Sequence, residues 1–562
     1  MRPRPVVCRL WQPLRLRAPG PRCQQSFTPR PSTQTQSANV STRYRPTVSS
    51  PTSSNSTLIR TYASERTRYW LRHEFKLFIR YGLISLAGFA CFQVVYFMYQ
   101  EEKLEREYPT PHEWEWRERH MLREAKKWTK PHGNKYASPS QALQLARNLC
   151  LAHEDLNRNG HKIPRLHDHE DPNDETPWEF IPHDISGMSE EWRRGYFETI
   201  MLAAKAAGDC DGWLKDKGHS GKIMCWEPKF VIGPSNPRPA PVPPGSPPPP
   251  REEDCEVAFP AADRFYLKIL ATQGLNQRQR MQAALEYANF LELKRSGEGA
   301  GALYDLALAE ATQGLDKASL PYDPKTLVMK EKRPLPSLNI FEAVTAVANH
   351  KARGGDTASA LPMYISLLKV RRALPTKAPR VPVQKRPKPS TMQRIVDFVS
   401  EPDYPAPPTD GTQPPWRSPE ERCQEASLDL FIGEILYASS SQEDGVAWTR
   451  EGVDLAEEQM RELKLTDGRD AAIAKDRCRE CLKTGLDNWS LMVTRLMREE
   501  QQKKKEASKP SALSFWNSAP QETEGRWEAE ATVVKERVKR TLDLVDDTRP
   551  MMGAGAKSLF QA

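Results

Sequence analysis

Three groups of residues in this 562-residue chain have the types and spacing to do chemistry. Asp155, Asn157, Asn159 and Gly160 stand in the alternating order that opens a calcium-binding EF-hand loop, with oxygen ligands at alternate positions and a glycine for the sharp turn. The twelfth position, which needs a bidentate Glu, is Leu166, and Pro164 interrupts the run, so the segment reads as a polar helix end and turn. His161, His167, His169 and His183 cluster among acids, and neutral imidazoles with carboxylates bind zinc or copper. They lie in a Pro- and Asp-rich loop with nothing to fix a coordination geometry, so a solvated loop is the expected state. Cys478-x-x-Cys481 falls on a predicted helix with both thiols on one face. A redox motif wants a strand before it and a helix starting at it; neither is evident, and two small residues on a packed face are expected instead. The chain has no Gly-rich phosphate loop, no Gly-x-Ser-x-Gly elbow and no HExxH. No catalytic residue, metal or cofactor is therefore expected, and the chain does not read as an enzyme.

The elements around these groups point to an address and an anchor. Residues 1–64 carry ten arginines, no lysine and no acid, and are rich in Ser, Thr and Pro. That is the composition of a mitochondrial transit peptide, here residues 1–62. It closes on Arg60-Thr61-Tyr62-Ala63-Ser64, with Arg60 placed for cleavage between Tyr62 and Ala63. A cationic flank follows (Arg66, Arg68, Arg72, Lys76, Arg80), then residues 81–99 run without a charge, then Glu101, Glu102, Glu105 and Glu107. Nineteen helical residues span roughly 28 Å, close to the thickness of a bilayer's hydrocarbon, and Tyr81, Tyr96 and Tyr99 suit its interfaces. The positive-inside rule puts the N-terminus in the matrix and the chain after Gln100 in the intermembrane space. The small residues Gly82, Ser85, Gly88 and Cys91 form a stripe where a second helix can approach.

The net charge is +9, but the first 64 residues alone are +10, leaving the remainder at −1. A nearly neutral working part argues against a nucleic-acid partner. Of ten cysteines, two lie in the leader and one in the anchor, leaving seven, an odd number. Cys210 with Cys225 and Cys478 with Cys481 are the pairs open to joining in an oxidising compartment; no paired zinc framework is present, and buried reduced thiols are the expected state.

The part beyond the membrane reads as all-α. A charged segment at 101–137 leads into a helical region at 138–232, with apolar periodicity at Gln141–His153 and Met188–Ala207 separated by a polar loop. Residues 233–251 are a Pro-rich linker expected to have no packed structure, and 375–418 a second such insert. Between and after them, at 256–374 and 419–505, the chain repeats. Tyr287-Ala288-x-x-Leu291, a break near Gly297 and Ala300-x-x-x-Tyr304-x-x-Ala307 return as Val347-Ala348, Gly354-Gly355 and Ala360-x-x-x-Tyr364, and again as Ile432-Gly433-x-x-Leu436 and Gly445-x-x-x-Thr449-x-x-Gly452. A small residue in one helix facing a small residue in the next lets two antiparallel helices approach closely. This resembles a degenerate, interrupted tetratricopeptide repeat. The last helix of this region is expected at Ala471–Lys505, and 506–562 is a mostly unstructured tail with one further helix near Trp527–Val545.

Leader, single anchor, the acidic-aromatic stretch from Glu107-Tyr108-Pro109 to Trp114-Glu115-Trp116, and tetratricopeptide-like helices together resemble the fungal tetratricopeptide-type adaptor of the mitochondrial inner-membrane i-AAA protease, over about residues 75–505. The resemblance implies a non-catalytic protein in the inner membrane, partnered by the AAA protease and a sister adaptor. It would bind unfolded or misassembled proteins and promote their degradation. By repeat geometry the groove residues are Gln282, Leu285, Asn289, Glu342, Thr345 and Asn349, a mixture of amide and apolar side chains suited to sequence-tolerant binding. The alternative is an inner-membrane assembly factor of the same repeat class for a respiratory complex. An import receptor that clamps a chaperone's terminal carboxylate would need a Lys where this chain has Leu285.

Overall fold

The computed structural model describes residues 64–129, 138–155, 163–166, 177–217, 225–242, 247–331, 334–377, 404–464, 469–507 and 525–546. The expected leader with Arg60, Tyr62 and Ala63 lies outside them, as do His161, His167, His169 and the middle of the EF-hand-like loop. The chain divides into two units at Leu86. In the first, the described residues are Ser64 and the opening turns of α1 (Glu65–Glu107). This helix runs through the cationic flank, the uncharged stretch and the acidic flank without a break. Its apolar window has a mean hydropathy of 1.6, and none of that window is buried. It is long and apolar enough to cross a membrane, and a bilayer would cover the exposed Leu83, Phe89 and Val94.

Among its described residues the second unit is all-α but for one small sheet. Its helices after α1 are α2 (Trp116–Trp128), α3 (Pro139–Glu154), α4 (Glu190–Asp209), α5 (Ala262–Ala271), α6 (Gln277–Leu293), α7 (Gly297–Ala311), α8 (Leu338–Arg353), α9 (Thr357–Arg372), α10 (Pro419–Ser439), α11 (Gln442–Leu463), α12 (Arg469–Ala507) and α13 (Arg526–Asp546). From α2 on, each packs on the next in chain order. Among the described residues three helical cores follow one another, one from α2 to α6, a second from α6 to α10 and a third from α10 to α13, and a smaller cluster of Trp226, Val231 and Cys255 stands apart.

The starts of these helices are written locally. Asn276 and Gln279 make a reciprocal capping box at α6, and Ser189, Ser337, Asp356, Ser418 and Ser441 each accept from a backbone N–H of the first turn. The acidic end of α1 is clamped to α2. Arg123, buried, donates to Glu101 at 2.7 Å and also pairs with Glu105, whose carboxylate accepts from the Thr110 N–H at 2.8 Å.

The repeat has a structural counterpart at a shift of sixty residues. Met281, Ala284 and Ala288 of α6 are buried, and so are Phe341, Val344 and Ala348 of α8. Ala300 and Tyr304 of α7 answer to Ala360 and Tyr364 of α9, all buried. Tyr304 Oη donates to Asn289 Oδ1 at 2.9 Å, and Tyr364 Oη to Asn349 Oδ1 at 2.7 Å. Even the turns match: Arg295 has φ 60° where Gly355, sixty residues on, has φ 87°. The hairpin of α10 and α11 is tighter. A Cβ on Gly445 would come within 2.6 Å of Tyr437 N, and one on Gly433 within 2.9 Å of Gly445 O. Only glycine permits that approach.

Several expectations need correcting. Cys478 is not reduced: it forms a disulfide with Cys423, joining α10 to α12. Cys478 and Cys481 do share a face of α12, but that face meets α10, where Cys423 stands opposite Cys478 and Ser427, one turn on, stands beside Cys481. Cys481, Cys210 and Cys225 are unpaired thiols.

The region at 138–232 also contributes to a three-stranded antiparallel sheet, β1 (Leu214–Asp216), β2 (Cys225–Trp226) and β3 (Cys255–Val257), in the order β2-β1-β3. Strands this short leave no period to read. Part of the Pro-rich 233–251 is built into the same corner. Asn236 Nδ2 donates to the carbonyls of Lys229 at 3.0 Å and Val231 at 3.1 Å, and Ile232 bridges to Arg251. The second insert ends in packed chain as well, because Tyr404–Arg417 lies along the helices.

Candidate functional site

The six residues nominated from repeat geometry come together. Gln282, Leu285 and Asn289 of α6 and Glu342, Thr345 and Asn349 of α8 all line one cleft of about 450 Å³. Phe197, Met201 and Lys205 of α4 close one side, and Arg371, Gln424 and Arg477 extend it toward α9, α10 and α12. Spacing explains the arrangement. Positions 282, 285 and 289, like 342, 345 and 349, lie three and four apart and share a helix face. The opposite faces of α6 and α8 carry the buried alanines and aromatics that join the cores.

Each side chain has a definite state. Asn289 and Asn349 have their carbonyl oxygens engaged by Tyr304 and Tyr364, which fixes the amide planes and leaves the NH2 groups to donate to a ligand. Thr345 Oγ1 donates to Phe341 O at 2.6 Å, so its hydroxyl proton is committed to its own helix. Leu285 is half-buried against the second core and gives the cleft its apolar spot.

The charges in the cleft are cross-linked between helices: Lys205 to Glu286 at 2.6 Å, Arg278 to Glu342 at 3.0 Å, and Arg477 to Glu420 at 3.8 Å. Arg371 is buried, lies 4.6 Å over the Phe341 ring and pairs with Glu421. Burial raises the Glu421 carboxyl and the Arg371 guanidinium pulls it back down. The result is a polar lining of paired charges and donor amides, suited to backbone and amide contacts rather than to one charged ligand.

Of the groups that resembled chemical sites, His183, Cys478 and Cys481 are among the described residues, whereas Asn157, Asn159, Gly160, His161, His167 and His169 lie outside them. His183 is buried, and burial with the nearby Lys268 and Arg165 charges lowers its imidazole to about 4. No group of three His, Cys, Asp or Glu side chains is placed to hold a metal among the described residues. Sequence reasoning missed a buried polar cluster behind the cleft: Lys268 Nζ donates to Glu154 at 2.7 Å and to the Glu179 carbonyl at 2.6 Å, and Tyr196 Oη donates to Glu154 at 2.8 Å. It ties α3, α4 and α5 together. Burial raises the Cys150 thiol beside it, which keeps the sulfur protonated. Sequence reasoning also missed Arg194, Arg278 and Arg371, whose spacing carries no motif; their role comes only from which helices meet.

No known family model matches the chain, and no curated protein matches its sequence. What the fold defines is an all-α chain with a candidate membrane-spanning helix at its start and a cleft along the inner faces of successive helices.

Proposed function

We propose that this protein is a non-catalytic adaptor of the mitochondrial inner-membrane i-AAA protease. On this reading α1 anchors it with the N-terminus in the matrix. The helical unit in the intermembrane space receives unfolded or misassembled membrane and intermembrane-space proteins and presents them for degradation, beside a sister adaptor. The observation that carries the reading is the cleft: six residues chosen on the geometry of a peptide-binding tetratricopeptide groove line one cavity, and its lining of held amides, aliphatic surface and neutralised charge suits extended chain of many sequences. Two further observations support it. The leader composition is that of a mitochondrial address, and the Cys423–Cys478 disulfide suits an oxidising compartment.

The test is affinity purification in mild detergent from mitochondria with a C-terminal tag. Recovery of an inner-membrane AAA protease with a mixed set of clients is expected. Stable recovery of one respiratory complex without the protease would overturn the reading in favour of an assembly factor.

A further inference from the structure

The groove already holds a peptide, and it belongs to the chain itself. Residues Tyr404–Gln413, the end of the second Pro-rich insert, run from α4 past the start of α6 to the start of α8. At one end Arg194, itself 7% exposed, lies 4.2 Å from the Tyr404 ring centre; its Nε donates to Tyr404 Oη at 3.2 Å and its Nη2 to the Pro405 carbonyl at 2.8 Å. At the other end Asn339, fully buried, donates from its backbone N to Gly411 O at 3.0 Å and from Nδ2 to Asp410 O at 2.9 Å, while Leu338 N donates to Gln413 O at 3.2 Å. These backbone donors belong to the first turn of α8, where a helix has no partners of its own for them. Gly411 has φ 68°, and a Cβ there would meet Asn339 Oδ1 at 2.0 Å and Arg278 Nη1 at 2.4 Å, so the chain comes this close only as bare backbone. Between the two ends, Pro407, Pro408 and Thr409 form one wall of a cavity of about 740 Å³. That cavity shares Arg278, Glu342, Arg371, Gln424 and Arg477 with the cleft described above. The strap therefore crosses one end of the same groove.

We infer that Tyr404–Gln413 is a built-in ligand of this groove, and that the external ligand it competes with is an extended polypeptide segment carrying an aromatic residue followed by proline. This rests on the reading that the groove receives extended chain, and it names that chain's chemistry. The groove reads one ring and four main-chain carbonyls, and no strap side chain beyond the tyrosine takes part in those contacts. Proline fixes such a segment as a pre-extended helix with its carbonyls unpaired, so little order is lost on docking. A tethered copy competes at an effective concentration in the millimolar range and holds weak ligands off.

The experiment uses the full chain in mild detergent and a fluorescein-labelled peptide of residues 404–417, followed by anisotropy. Tyr404→Ala loosens the tethered strap and leaves Arg194 and Asn339 in place. The labelled peptide is expected to bind this variant about tenfold more tightly than the native chain. Adding Arg194→Ala is expected to remove the gain. Gly411→Val, which releases the other end without touching Arg194, should act like Tyr404→Ala. Equal binding by the native chain and both strap variants would overturn the inference, and so would equal binding of a peptide with its tyrosine replaced by alanine.

Reduced, carboxymethylated casein is titrated in parallel. Casein binding that the peptide neither matches nor competes with overturns the strap inference and leaves the adaptor reading standing. Peptide binding that depends on Arg194, with no casein binding by any form, supports the strap and counts against the adaptor reading.

Discussion

Breaking the Cys423–Cys478 bond is expected to destabilise the C-terminal helices by about 4 kcal/mol. The two cysteines are 55 residues apart and both are wholly buried. In the chain-entropy treatment, closing a loop of that length removes about 14 cal/mol/K from the unfolded chain, which is about 4 kcal/mol at 25 °C. The native packing around the bond, Ala426, Leu430, Leu482 and Trp489, does not need the bond to form, so a chain with both cysteines replaced by alanine should fold and melt earlier. The assay is chemical unfolding of the full chain in detergent, native against Cys423→Ala/Cys478→Ala, followed by helical circular dichroism. Thiol titration under denaturant without reductant accompanies it. The chain from Ala63 onward should show six reactive thiols, Cys91, Cys150, Cys210, Cys225, Cys255 and Cys481, with two more appearing only after reductant. Cys481 should not exchange with the bond in the folded state, because burial pushes its thiol up to about 11 and leaves almost no thiolate. If mass spectrometry finds the bond intact and the double variant loses less than about 1 kcal/mol, the argument from the unfolded chain is refuted.

Four other outcomes follow from the structure. Arg295→Gly should stabilise the chain by about 1 kcal/mol, since Arg295 is exposed at φ 60° in a turn where the equivalent residue is Gly355; a lowered unfolding midpoint would contradict this. Tyr304→Phe and Tyr364→Phe should each cost about 1 kcal/mol and by nearly equal amounts, because each removes the same Tyr-to-Asn bond from an equivalent hairpin; strongly unequal losses would count against the sixty-residue equivalence. Burial lowers the His153 imidazole to about 3, so the folded state resists its protonation. Its contribution is fully present above the unfolded value near 6.5 and lost as pH falls toward 3, about 2 kcal/mol by pH 5. His153→Phe, which keeps a ring 4.2 Å from Trp114 and leaves Glu118 as the nearby ionisable group, should flatten that slope in pH-dependent unfolding. Arg123→Ala should cost about 2–3 kcal/mol, since it removes the buried guanidinium shared by Glu101 and Glu105 and leaves Glu101 to His120 and Glu105 to Arg119 and Thr110; limited proteolysis after Glu107 would report the loosened junction, and unchanged resistance would argue that the clamp is idle.

The parts of the fold that were legible in the sequence are those with a long period or a sharp chemical signature. The apolar run at 81–99, the small residues at Ala288, Ala300, Gly433 and Gly445, and the groove face of α6 and α8 all rest on helical spacing repeated over many residues. Asn289 and Asn349 stood out as groove positions, but their tie to Tyr304 and Tyr364 did not, because a hydrogen bond across a hairpin leaves no mark beyond the matched pair of types. The disulfide was missed for the opposite reason. Adjacency in sequence favoured Cys481 as the partner of Cys478, whereas helix packing put Cys423 across from it. Proline misled at both inserts. It correctly excludes helix from 233–242 and 404–413, but absence of helix is not absence of packing. Asn236, which satisfies several carbonyls at once, and Arg194, which holds the Tyr404 hydroxyl and the Pro405 carbonyl, keep these segments down.

The two halves of the groove share one mode of recognition. Where the strap lies, Arg194, Asn339 and Leu338 all donate to main-chain carbonyls. In the open cleft, Asn289 and Asn349 are held by their oxygens, so what each offers is again a donor. The hairpin of α10 and α11 breaks this pattern: Thr449 occupies the tyrosine's place and turns its hydroxyl to Gly445 O at 2.8 Å, while glycines bring the helices together. The ladder of donors therefore belongs to α4, α6 and α8. An extended segment presents a carbonyl every 3.1 Å or so along its length, and fixed donors on the alternate helices α4, α6 and α8 would meet such a chain with one demand on its side chains, the ring that lies under Arg194. On the proposed reading, tolerance at the remaining positions follows from a groove that reads main-chain carbonyls. It does not require a flexible site, because the tyrosines and ion pairs that hold these donors keep the groove in one shape before any ligand arrives.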